Sequence, residues 1–125
     1  MLIRIPLIIL RVCWVIAILL GITFWLNLPD DMLIPVHMAL GIVIVLMLWI
    51  LGLVSVTTKG GSIGLGVGAI IWGLLVLILG LTQTRILVNP SVHWIVQILH
   101  LLLGIGAISI GQLIAVRYER IKAYQ

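Results

Sequence analysis

"VHWIVQILHLLLGIGAISIGQLIAV", residues 92–116, contains no charged side chain. A run of about 20 apolar residues is what an α-helix needs to cross the hydrocarbon layer of a bilayer, and this run is longer. Three further windows have the same character: Ile5–Leu28, Met32–Val56 and Ile63–Val88. Together the four account for nearly the whole chain. Composition agrees, with 64% hydrophobic and 8% charged residues against roughly 45–50% and about 25% in soluble domains. Such a chain cannot cover a water-facing surface. The expectation is an all-α integral membrane protein, one transmembrane domain over 1–125, with helices at about 5–28, 32–56, 63–88 and 91–118.

The links between spans are short. "NLPDD" (Asn27–Asp31) joins the first two spans, and Asp30 or Asp31 is placed to cap the second and to favour its positive end. "TTKGGS" (Thr57–Ser62) is a glycine turn. "TQTRILVNPS" (Thr82–Ser91) closes the third span, and Pro90 suits the first turn of the fourth. Pro35 either bends the second span or marks where its regular helix begins. Short links force neighbouring helices to run antiparallel, which predicts an up-down-up-down bundle. The second and fourth spans then run in the same direction.

Charge orients that bundle. The side holding both termini and the 57–62 turn carries Arg4, Arg11, Lys59, Arg117, Arg120 and Lys122, whereas Arg85 is the one basic residue on the other side. Basic residues stay in the cytoplasm, so both termini are expected there, in a multi-pass protein of a bacterial-type inner (plasma) membrane. A net charge of +4 is accounted for by this topology and gives no sign of nucleic-acid binding. The N-terminal apolar run exceeds that of a secretory signal and lacks an Ala-x-Ala-type cleavage site, which predicts a retained first helix. Cys13 stands alone in its span and reads as a small hydrophobe.

Within this apolar sequence stand three histidines, His37, His93 and His100. A helix turns about 100° per residue, so His93 and His100 lie within about 20° of one another on the fourth span, and Gln97, Gly104 and Gly111 continue the same stripe. On the second span the stripe is His37, Gly41, Ile44, Leu48 and Ser55. Polar side chains in a membrane face the bundle interior. A glycine follows His37 and His100 one turn on (Gly41 and Gly104), leaving room for something flat beside each imidazole. A faint repeat relates the two hairpins: "LLGIT" (Leu19–Thr23) echoes "LILGLT" (Leu77–Thr82), and "HMALGI" (His37–Ile42) echoes "HLLLGI" (His100–Ile105). A pseudo-twofold axis along the membrane normal would make His37 and His100 equivalent. Gly66, Gly73 and Gly80 stand at heptad spacing on the third span, with Gly64 and Gly68 nearby, as small residues do where helices pack closely within or between subunits.

Imidazole is the common axial ligand of haem iron. Histidines on facing helices at similar depth can clamp one haem b, with His37 on one side and His100, or alternatively His93, on the other. Depth along the helices differs by roughly 4–6 Å for either pairing and does not choose between them; the repeat and Gly104 favour His100. His93 would then lie on the propionate side, where Arg85 is placed to pair with a carboxylate or simply to serve its helix end. Other chemistries lack parts. Asp30, Asp31 and Glu119 are the only acids, all at span edges, so a proton-coupled transporter has no buried carboxylate. No Ser-His-Asp set can be assembled in the spans. His93 and His100 are about 10 Å apart along one helix, too far to share a zinc or copper ion.

Two parallel helices of a four-helix bundle, each turning a histidine inward beside a glycine, resemble the membrane b-type cytochromes of the cytochrome b561-like kind. That resemblance implies electron transfer through haem b, with a quinone or a redox subunit as partner. Those cytochromes commonly hold two haems on four histidines; with three histidines this chain is expected to hold one. Two alternatives stay open: a cofactor-free structural or assembly subunit of a larger membrane complex, and a (bacterio)chlorophyll-binding protein in which histidine ligates magnesium.

Overall fold

A computed structural model describes residues 2–26, 32–86 and 89–124. It contains four long helices: α1 (Arg4–Trp25), α2 (Leu33–Thr57), α3 (Ile63–Thr82) and α4 (Pro90–Ala123), with a 3₁₀ turn at Gln83–Arg85 after α3. Each of the four is long and apolar enough to cross a membrane. The Asn27–Asp31 link, with the expected Asp30 or Asp31 cap, lies outside the described residues. The N-cap position of α2 is Met32, and Pro35 falls in its first turn, where a missing N–H costs nothing.

Local chemistry explains the other ends. Ser62 caps α3 by accepting from the Leu65 N–H at 3.2 Å, and its own carbonyl takes the Ser55 hydroxyl at 3.1 Å. Between α2 and α3 the chain reverses at Gly60, whose φ of +81° is open to glycine without strain. Asn89 caps α4 by accepting from the Ser91 N–H at 3.1 Å, and Pro90 occupies the first turn as expected. Two boundaries differ from the sequence reading. The α3 helix stops at Thr82 rather than near 88, where the Thr82 hydroxyl donates to the Ile78 carbonyl at 2.7 Å, an i−4 bond that disturbs the helix ladder. The α4 helix continues to Ala123 rather than 118, with Arg120 and Lys122 in its last turn, where cations complement the dipole.

The packing is that of an antiparallel four-helix bundle. The α2 helix touches all three others and meets α4 across the centre, while α1 and α3 lie on either side of that pair. The closest approach joins α2 to α3: a Cβ placed on Gly66 would lie 2.5 Å from the Gly52 carbonyl oxygen. Gly66 and Gly73 of the heptad stripe are therefore occupied inside the molecule, against α2. The core sits at the end that carries the termini, where Leu10, Leu48, Leu51, Ile114 and Ala107 are fully buried. Outward faces are apolar as well, with Leu19, Leu53, Ile71, Leu102 and Val116 exposed. The bundle is therefore apolar both inside and out, as suits four helices long and apolar enough to cross a membrane.

Candidate functional site

At the opposite end the bundle is hollow. A cavity of about 490 Å³ lies among all four helices, within the range of roughly 300–1,000 Å³ that small-molecule and cofactor sites occupy. Among the described residues its wall is apolar apart from the three imidazoles, Trp14, Trp25, Gln83, Thr84 and Gln97, and holds no carboxylate, lysine or arginine.

His37 reaches the cavity from the first turns of α2 and His100 from the third turn of α4. Their ring centroids are 6.1 Å apart with planes inclined by 50°. The Phe24 ring meets His37 edge-on, with centroids 5.5 Å apart at 77°, and the Ala17 carbonyl of α1 faces the same imidazole. His93 lines the same cavity one stripe position above His100. The Nδ1 atoms of His37, His93 and His100 are all buried and, among the described residues, have no hydrogen-bond partner. A buried polar atom left unpaired costs about 1–3 kcal/mol, so the three imidazoles are groups that a water or a ligand in the cavity would satisfy.

Two indoles hold α4 at the depth that brings His100 to His37. The Trp14 Nε1–H of α1 donates to the Gly104 carbonyl at 2.8 Å, and the Trp72 Nε1–H of α3 donates to the Leu103 carbonyl at 2.9 Å. Adjacent carbonyls of α4, just beyond His100, are thus gripped from both flanks. The Trp49 Nε1–H of α2 donates to the Ile70 carbonyl of α3 at 3.0 Å and ties α2 to α3. Interhelical hydrogen bonds within a membrane contribute about 0.6–2 kcal/mol each. None of these indoles was singled out by the sequence reading. A tryptophan in mid-span, away from the interfaces where it usually sits, is the signal that marks them.

Glycines seat the histidines, though not only those expected. Gly41 lines the cavity and has open space where a Cβ would stand. Gly104 also lines it, and a Cβ there would meet Trp14 Nε1 at 3.9 Å, an ordinary contact. The imidazoles themselves lie against Gly21 and Gly80: a Cβ on Gly21 would be 3.8 Å from His37 Cε1, and one on Gly80 would be 3.3 Å from His100 Cε1. These are the glycines of "LLGIT" and "LILGLT". In both hairpins the odd-numbered helix thus offers a glycine to the histidine of its partner, the arrangement the repeat calls for. Arg85 ends the 3₁₀ turn, exposed and outside the cavity lining, where Gln83 and Thr84 stand instead.

The arrangement suits a particular donor set. An axial imidazole has its ring centre about 1 Å behind the ligating nitrogen, and a metal–imidazole bond is about 2 Å, so two imidazoles on one iron have centres roughly 6 Å apart. The His37–His100 separation of 6.1 Å matches. Among the described residues no group of three or more His, Cys, Asp or Glu side chains is placed to hold a bare metal ion. Two facing imidazoles alone are a donor set that would fit a metal bringing its other ligands with it, as a macrocycle does. No family model matches this chain, and neither does any curated protein or solved structure.

Proposed function

We propose that this chain is a four-span membrane protein that binds one haem b between His37 and His100 and serves in electron transfer. The observation that carries the reading is the facing imidazole pair, 6.1 Å between ring centroids, in a cavity whose described lining has no carboxylate, lysine or arginine and where, among the described residues, the Nδ1 atoms have no partner. A haem held by His37 and His100 would supply reversible one-electron chemistry. The residues of this chain do the rest. His37 and His100 ligate from α2 and α4. Trp14 and Trp72 hold the depth of α4, so the two imidazoles meet without rearrangement. Phe24 and the apolar wall keep water away and favour the less charged, reduced form. His93 and Gln97 line the cavity beside the pair and offer hydrogen bonds to polar edges of the cofactor. Arg85 is exposed outside the lining and takes no part in holding the cofactor.

The chain lies in a bacterial-type inner membrane with both termini in the cytoplasm, as the basic residues direct. The cavity is then near the outer face. The electron partner is a quinone or a redox subunit. Gly64 and Gly68 on α3 have open space at their Cβ positions and provide a face for close association with another helix. The test is optical. The protein purified in detergent from a haem-competent host is expected to be red, with a Soret band and sharp α and β bands on reduction. A preparation that stays colourless after titration with haem contradicts the proposal and favours a cofactor-free subunit; a magnesium-chlorin spectrum favours the pigment-binding reading.

A further inference from the structure

The end of the bundle that carries the termini holds a second feature, unconnected with the histidines. A crevice of about 480 Å³ opens between α1 and α4, lined by Arg4, Leu7, Arg11, Gln112, Glu119 and Arg120 among others. Among the packed helix pairs, α1 and α4 make the slightest contact. Their polar residues form two rungs. Arg4 Nε lies 3.6 Å from Glu119 Oε1, and the Arg11 guanidinium donates to Gln112 Oε1 at 2.5 Å. Each pair of rung residues is seven apart on its own helix, so the deeper rung lies about 10 Å further in.

The rungs differ in charge. The outer one is an exposed ion pair, with side chains 76% and 50% accessible. The inner one sets a permanent cation against a neutral amide, and among the described residues Gln112 is the only hydrogen-bond partner of Arg11. Arg120 adds a third cation to the crevice. Three arginines against one carboxylate leave an excess of positive charge where the polar layer of a bilayer, about 6 Å thick, gives way to hydrocarbon. A guanidinium there must reach water or find an anion. Its remaining N–H donors form the fork that matches a phosphate. Within the crevice's lining Val116 is an exposed apolar side chain, and Ile8 and Leu113, exposed on the same two helices within four residues of the rung residues, add surface suited to acyl chains.

We propose that this crevice binds the phosphodiester headgroup of an anionic glycerophospholipid, with Arg11 as the principal contact and Arg4 and Arg120 at the rim. The proposal rests on the membrane reading of the chain and not on the haem. In native mass spectrometry from detergent, the protein is expected to retain phosphatidylglycerol in preference to phosphatidylcholine of the same acyl chains. Arg11→Gln is expected to lower phosphatidylglycerol affinity about five- to tenfold, and Arg117→Gln, an exposed cation at the same end but outside the crevice, to leave it within twofold. Gln112→Glu supplies an internal anion at constant size and is expected to weaken lipid binding as Arg11→Gln does. Inorganic phosphate at tenfold excess over the lipid should not displace it. Equal retention of the two lipids, equal losses in Arg11→Gln and Arg117→Gln, unchanged affinity in Gln112→Glu, or displacement by inorganic phosphate would each overturn the inference. A chain that takes up haem yet discriminates no lipid refutes this site alone. One that stays monomeric in buffer without detergent refutes the membrane reading beneath it.

Discussion

Replacing Gly80 by alanine tests the seating of His100. The added Cβ would stand 3.3 Å from His100 Cε1 and 4.0 Å from Nδ1. Carbon–carbon contacts are most favourable at about 3.5–4.0 Å, so the imidazole must give way by a few tenths of an ångström. A displacement of that size is a small rotation inside one rotamer well and costs less than about 1 kcal/mol. Alanine in place of a helical glycine returns up to about 1 kcal/mol. The protein should therefore be as stable as the parent while the axial ligand is turned. Gly21 provides the control, because its Cβ would meet His37 Cε1 at 3.8 Å, an ordinary contact. Low-temperature electron paramagnetic resonance of the oxidised protein reads ligand geometry, and potentiometry reads its effect on the haem. Gly80→Ala is expected to shift the low-spin g values and the midpoint potential, and Gly21→Ala to leave both at parent values, with thermal unfolding close to parent in each. Equal shifts in the two variants, or a shift in Gly21→Ala alone, would refute the assigned contacts.

His93→Ala is expected to keep the low-spin spectrum and at most move the potential, since His93 lines the cavity without standing in the facing pair; loss of the six-coordinate signal would transfer the ligand role to it. Gly66→Ala sets a methyl group 2.5 Å from the Gly52 carbonyl oxygen, which only a backbone shift relieves, and is expected to cost about 1–3 kcal/mol in detergent unfolding, whereas Gly64→Ala, with open space, should be neutral. Reporter fusions at Gln125 are expected to read as cytoplasmic and a tag inserted between Asn27 and Asp31 as external; the reverse pattern contradicts the orientation.

The four helices were legible because span length and apolar content decide them with no tertiary information. Boundaries were less so where composition and helix end disagree. Ile86 extends the apolar run of the third span, yet Thr82 and the 3₁₀ turn end the helix before it. Conversely, Arg117, Glu119, Arg120 and Lys122 break the apolar window while α4 passes through them, and Glu119 finds Arg4. For the site, the stripe Ile44, Leu48 and Ser55 is buried as the helical period of α2 requires. Helical rise could not choose between His93 and His100. That choice depends on how far α4 is slid against its neighbours, which Trp14 and Trp72 set through contacts some 90 and 31 residues distant in sequence. Gly21 and Gly80 were visible as repeat elements, but their role against the imidazoles comes only from packing between helices. Arg85 lies on the expected side of the chain's order but points to no cavity wall, a matter of side-chain exposure that spacing does not encode.

The central claim is that His37 and His100 are the two axial ligands of one haem. The most direct test is the reduced-minus-oxidised spectrum, with a haem-to-protein ratio, of the parent chain beside His37→Ala and His100→Ala. The account predicts about one low-spin haem per parent chain and no low-spin haem in either variant, each variant still extracting in detergent as a helical protein by circular dichroism. A low-spin spectrum that survives either substitution in a folded chain would contradict it.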